Sequence, residues 1–251
     1  MTNQITLQYD AITENEIPVI LCYPADAEKA PLVLLNHGTE ECGEDRLDMA
    51  VQLARRGMFT VVIDAVWHGR RADPRLQTML HTSLYKRYYV DLLLEMAGDM
   101  TRIIDYFADH PAADATRTGM TGVSQGGYVT FMTMTKDPRI KAAAPLIGSP
   151  DLEDQYGNSQ PWELIDEDTK QYVSAHSPLH HAEKMAKTAL LIQNSAEDPI
   201  VPAAGVRRLD KRLRPLYKNP ADYAYIEYLH IGHQVTREMK DRAADWLAEK
   251  L

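Results

Sequence analysis

Short apolar runs alternate with longer stretches of helical period along most of the chain. The runs at residues 32–35, 59–63, 142–147 and 189–193 are continuously apolar or nearly so, as strands buried on both faces of a parallel sheet must be, and residues 118–123 form a further short strand-like run. Residues 223–229 alternate aromatic, apolar and acidic side chains, the signature of a half-buried edge strand. Residues 5–9 and 17–23 read as an antiparallel pair at the opposite edge. Helical patterning covers residues 45–56, 84–108, 127–135, 202–213 and 236–251, with Pro202 placed in a first turn where its missing N–H costs nothing. Strands alternating with helices demand a mostly parallel sheet with helices on both faces, here of eight strands. No internal repeat or linker divides residues 1–251, so a single α/β domain is expected.

One connection is too long. The stretch at residues 149–187 exceeds an ordinary loop of about a dozen residues, so it is expected to be an insertion with its own helices. Its Tyr156, Trp162, Leu164, Ile165, Tyr172 and Val173 supply enough apolar surface for a small helical cap over the carboxyl ends of the strands, where such sheets bind ligands. The competing expectation is a helix pair that packs on the sheet and never meets a ligand. Residues 76–89, with Tyr85, Tyr88 and Tyr89, are a second candidate wall, although tyrosines there serve a core or an interface equally well.

The strand at 118–123 runs into Gly122-Val123-Ser124-Gln125-Gly126 and then into a helix. A Gly-x-Ser-x-Gly motif in this strand-turn-helix setting holds its serine exposed on a sharp, strained turn, and aims the following helix N-terminus at the place where an oxyanion forms. Ser124 is therefore the candidate nucleophile. After the run at 189–193, the chain enters a polar loop that carries Glu197 and Asp198, and after the last strand it reads His230-Ile231-Gly232-His233. Each pair offers an acid or a base on a loop past a strand end.

The chain order Ser124, Asp198, His233 resembles that of the α/β-hydrolase superfamily, and nearest to it the compact single-domain esterases related to the prolyl oligopeptidase and dienelactone hydrolase families. The resemblance runs from the strand at Leu32 to the last helix and is weakest over the first thirty residues and over 149–187. It implies an α/β-hydrolase fold and a serine hydrolase with a Ser-His-Asp triad. Asp198-Pro199-Ile200-Val201-Pro202 matches the family's acid loop, which favours Asp198 over Glu197, and Gly232-His233 matches its base loop, which favours His233 over His230. By the same resemblance, Asn36-His37-Gly38-Thr39 leads into the first oxyanion donor, the backbone N–H of Thr39, and the N–H of Gln125 is the second. The Asp64-x-x-x-His68-Gly69 stretch resembles the loop beside those donors, with Asp64 tying backbone N–H groups together and Trp67 a possible pocket or core residue. His37 is a further pocket candidate, with a hydrogen-bonded place inside the loop as the alternative.

Composition narrows the chemistry. A net charge of −9 disfavours nucleic acid and anionic membrane surfaces as partners. No apolar run approaches the roughly 18 residues of a membrane span. The two cysteines, Cys22 on a strand and Cys42 in a loop, form no disulfide scaffold or metal spacing, and Met1-Thr2-Asn3-Gln4 lacks the basic and apolar regions of a secretory leader, so a reducing cytoplasm is the expected compartment. His180-His181 lack companion ligands and are expected at the surface. The expected reaction is two-step acyl transfer on a small or medium carboxylic ester, needing no cofactor or metal. Its alternatives are a peptidase, amidase or thioesterase using the same triad, and a ligand-binding module without catalysis. Oligomeric state is not legible in the sequence.

Overall fold

The computed structural model describes residues 4–12, 17–80, 82, 85–154 and 161–251. Eight strands run in chain order as β1 (Ile5–Ile12), β2 (Ile17–Pro24), β3 (Ala30–Asn36), β4 (Phe59–Ile63), β5 (Ala113–Val123), β6 (Ile140–Leu146), β7 (Ala189–Ser195) and β8 (Tyr223–Tyr228). They join in one sheet, ordered β1-β2-β4-β3-β5-β6-β7-β8. Strand β2 runs antiparallel to both of its neighbours, and the pairings from β4 through β8 are parallel. The antiparallel edge pair and the mostly parallel remainder agree with the sequence pattern. The central strands β3 and β4 bury nearly every side chain, which is why they carry no polar alternation.

The helices are α1 (Leu47–Arg55), α2 (Arg75–Leu80), α3 (Tyr85–Tyr106), α4 (Gln125–Lys136), α5 (Glu167–His176), α6 (Ala182–Met185), α7 (Ala204–Leu213) and α8 (Arg237–Lys250). One face of the sheet is covered by α1 and α8, whose Met49, Leu53, Met239 and Leu247 pack over Ile20, Val33, Leu35 and Val62. The other face carries the larger core, where Met96, Met100 and Ile103 of α3 and Phe131 of α4 meet Leu32, Leu34 and Phe59. Among the described residues no helix is long and apolar enough to cross a membrane.

Boundaries depart from the sequence pattern in informative places. Helix α7 starts at Ala204, so Pro202 precedes the first turn instead of occupying it. The reason is Asp198: its Oδ1 accepts the N–H groups of Ile200 and Val201 at 2.8 and 2.9 Å, and this turn keeps the backbone out of helix until Ala203. The segment 43–46 is a 3-10 turn that precedes α1, held by Asp45 Oδ2, which accepts the Cys42 N–H at 2.8 Å.

In the described part of 149–187 helix α5 packs against α3. Helix α5 lies on the outside of α3, where the Tyr172 hydroxyl donates to Asp91 at 2.5 Å, the Arg87 guanidinium stacks 4.3 Å from the Tyr172 ring, and Val173 is fully buried. The apolar supply of the insertion is thus used against a neighbouring helix. Lys86 of α3 fixes the start of the segment, donating to the carbonyls of Leu152, Glu153 and Asp154 at 3.1, 3.3 and 2.6 Å. Tyr156 lies outside the described residues.

Candidate active site

Strand β5 ends at Val123, and Ser124 follows with φ +54°, ψ −112°, a left-handed conformation that a non-glycine residue adopts only when its surroundings enforce it. The enforcement is visible in the flanking glycines. A Cβ on Gly122 would meet the Gly126 carbonyl carbon at 2.5 Å, and one on Gly126 would meet the Asn36 carbonyl oxygen at 2.5 Å. Strand β5, helix α4 and the end of β3 cross too closely for any side chain at these two positions, and the serine is forced out at the apex.

Two loops converge on that apex. His233, from the loop between β8 and α8, places Nε2 2.9 Å from Ser124 Oγ. Its Nδ1 lies 2.7 Å from Asp198 Oδ2, at the turn after β7. The carboxylate accepts, so Nδ1–H donates; Nε2 then carries a lone pair and receives the serine hydroxyl. The Asp198 side chain is fully buried and that of His233 is 19% exposed, so the carboxylate end of the hydrogen-bonded line is shut off from solvent. Ser124 itself is half-buried.

The residues that competed for these roles are elsewhere. Glu197 and His230 pair with each other at the surface, 3.1 Å apart, with the His230 side chain 86% exposed. His37 is buried inside its own loop, Nδ1–H donating to the Gly38 carbonyl at 2.7 Å and Nε2 accepting the Ala65 N–H at 2.9 Å. It is a brace and lines no part of the cavity at Ser124. Burial lowers its pKa and that of neighbouring His68, so both rings are held neutral. Asp64 acts as a tie: its carboxylate accepts the N–H groups of Gly43 and Arg70 at 2.8 and 3.1 Å and the Arg70 side chain at 2.9 Å. Burial pushes that carboxyl up, but these donors outweigh it and hold it below the usual carboxylate range.

A cavity of about 500 Å³ opens beside Ser124 and His233. Its aromatic wall joins Tyr85 and Tyr89, which the sequence left undecided between a wall and a core or interface, to Tyr128, which the sequence did not single out. The Tyr85 and Tyr89 rings stack 5.5 Å apart, and Tyr89 meets Tyr128 edge-on at 5.6 Å, one helical turn after the serine. Leu80, Ile147 and Val201 extend the apolar lining, while Glu41, Arg46 and Lys240 lie on the side of α1 and α8. The two tryptophans named as pocket candidates are not part of it. Trp67 packs on the larger core with the Arg75 guanidinium 5.2 Å over its ring. Trp162 lines a separate cavity of about 430 Å³ with Asp151, Arg208 and the surface residue His180.

Thr39 and Gln125, the expected oxyanion donors, sit at the two sides of the serine. Gln125 opens α4, and the first N–H groups of a helix have no carbonyl of their own turn to bond. Thr39 lies on the loop that follows β3, and its hydroxyl donates to Gln125 Oε1 at 3.0 Å. The sequence did not show this link, because it joins side chains 86 positions apart.

A profile of the prolyl oligopeptidase family matches residues 72–251, a span that contains Ser124, Asp198 and His233. The chain belongs to this family. It is similar to YitV of Bacillus subtilis (strain 168), provisionally named an esterase, with 26% identity over 86% of this chain and 88% of that one. It is 24% identical to the esterase YjfP of Escherichia coli (strain K12), over 94% of this chain and 96% of the relative. Its fold is similar to that of TT1662 from Thermus thermophilus, with a TM-score of 0.79, 22% identity, and coverage of 97% and 98% of the two chains. The fold is thus that of the α/β-hydrolases, and the family and relatives together support a serine hydrolase.

Proposed function

We propose that this protein hydrolyses small or medium, uncharged carboxylic esters, with Ser124 as nucleophile, His233 as general base and acid, and Asp198 as the group that orients the imidazole. The observation that carries the reading is the continuous hydrogen-bonded line from Asp198 through His233 to Ser124 in the lining of a partly apolar cavity. In the first step His233 Nε2 removes the hydroxyl proton as Ser124 Oγ attacks the ester carbonyl, and Asp198 stabilises the imidazolium. The oxyanion is received by the backbone N–H groups of Thr39 and Gln125, the latter at the positive end of α4. His233 then protonates the departing alkoxide, and water repeats the sequence on the acyl-enzyme.

Substrate size follows from the cavity. About 500 Å³ accommodates an acyl chain of several carbons with its leaving group, and the tyrosine wall offers it apolar surface. Arg46 is bridged to Glu41, and Lys240 donates to Asp48 at 2.5 Å, so the cations at the rim are already neutralised and favour no anionic acyl group.

The family match supports a second reading, amide or peptide cleavage by the same residues. Leaving-group preference distinguishes the two. A p-nitrophenyl ester series from acetate to decanoate is run beside aminoacyl-nitroanilides and acyl-thioesters; the esterase reading expects ester turnover to dominate and peak at short to medium acyl length. Turnover confined to the nitroanilides contradicts it.

A further inference from the structure

The Thr39 hydroxyl donates to Gln125 Oε1 at 3.0 Å, joining the loop after β3 to the first residue of α4, the one that follows Ser124 in the chain. Gln125 is 1% exposed, and its Nε2 is buried with no hydrogen-bond partner among the described residues. A buried amide whose NH₂ donors both go unsatisfied costs stability that an apolar side chain of the same size would not. Its presence calls for a compensating role, and the bond from Thr39 supplies one.

We infer that the Thr39–Gln125 side-chain bond is a clamp that fixes the spacing of the two backbone oxyanion donors, making both side chains positioning residues for acyl transfer. The inference rests on Ser124 being the nucleophile, and it adds to that reading a requirement for side-chain identity that backbone donors alone do not impose. The geometry explains why a clamp is needed here. Gln125 N–H is carried by α4 and is rigid, whereas Thr39 belongs to a loop that crosses from β3 to the 3-10 turn at Gly43–Arg46. The base of that loop is braced by Glu41, whose Oε2 accepts the Gly38 N–H at 2.6 Å and whose other oxygen takes Arg46. Its Thr39 end is tied to the helix through Gln125. Oxyanion donors act only when aimed at the position the charge will occupy, so a small drift of Thr39 weakens the transition state more than the bound substrate.

The test uses near-isosteric variants, Thr39→Val, Gln125→Met and the double variant, with Thr39→Ser as rescue and Ser124→Ala alongside, on p-nitrophenyl butyrate. Misplacement by a fraction of an ångström lowers kcat by about 10- to 100-fold while KM stays within about threefold. Thr39→Val and Gln125→Met are each expected to show that split. The double variant is expected to lose no more than the worse single one, because both changes break the same bond. Thr39→Ser is expected to recover most of kcat. Affinity for a trifluoromethyl ketone, whose adduct places an oxyanion in the hole, should fall in parallel with kcat. Wild-type kcat in either single variant, or losses that multiply in the double variant, overturn the clamp while inactive Ser124→Ala leaves the nucleophile in place. An active Ser124→Ala overturns both. If Thr39→Val fails to fold, Thr39→Ala and Thr39→Ser are compared by the same kcat and inhibitor readouts, and equal values for the two overturn the clamp.

Discussion

His233 Nε2 and Ser124 Oγ lie 2.9 Å apart, although 109 positions separate them in the chain. Contact of this kind in the lining of a cavity makes the pair a unit. Ser124→Ala and His233→Ala are each expected to lower kcat by at least about 10⁴-fold, and the double variant to be no worse than either, as measured by steady-state ester hydrolysis.

Asp198 gives a more selective test. Its Oδ1 is occupied by the Ile200 and Val201 N–H groups, and its Oδ2 faces His233. In Asp198→Asn the carbonyl oxygen can retain the turn, and the amide NH₂ then confronts the imidazole and favours the wrong tautomer. The expected outcome is a loss of about 10³- to 10⁴-fold in kcat with little change in melting temperature. Glu197→Gln, at the surface pair with His230, should be close to wild type in both measurements.

The pocket wall predicts specificity. Shortening Tyr85, which is half-buried and stacked on Tyr89, extends the cavity along its apolar side. Tyr85→Ala is expected to raise the kcat/KM ratio of octanoate to butyrate esters by about 10-fold, a usual size for one or two methylenes in an apolar pocket. Trp162→Ala should leave that ratio unchanged, because Trp162 faces the other cavity.

Much of this was legible in advance and some was not. The strand-turn-helix around Ser124 and the loops bearing Asp198 and His233 are local signals: glycines, a turn carboxylate and strand ends all stand within a few residues of the side chain concerned. The packing of 149–187 was not, because apolar content does not say which surface it will cover; Val173 is buried, and Tyr172 is held by Asp91 and Arg87 of α3. The tyrosine wall was ambiguous for a related reason. Tyr89 and Tyr128 are at once nearly fully buried and part of the cavity lining, a combination that periodicity cannot separate from core. The Thr39–Gln125 bond is long-range and polar, and no pattern along the chain announces it.

Acid should weaken the fold around the oxyanion loop. Burial lowers the folded-state pKa of His37 and His68 below the ordinary histidine value of about 6.5. The unfolded chain therefore takes up protons first as pH falls, so stability present above that value is lost on going below it. Asp64, held below the usual carboxylate range, adds a loss of the same sign at lower pH, starting near about 3.9. Urea midpoints are expected to stay level down to about pH 7 and then fall steadily to pH 5 at an unchanged slope. A midpoint flat across that interval contradicts the neutral buried rings.

The central claim is that Ser124 is a nucleophile activated by His233, and active-site labelling with a fluorophosphonate, read by intact mass and peptide mapping, tests it most directly. The account predicts one adduct per chain, on Ser124, formed rapidly in the native protein and absent from Ser124→Ala and His233→Ala. Absence of labelling in the native protein, or labelling that persists in Ser124→Ala, contradicts it.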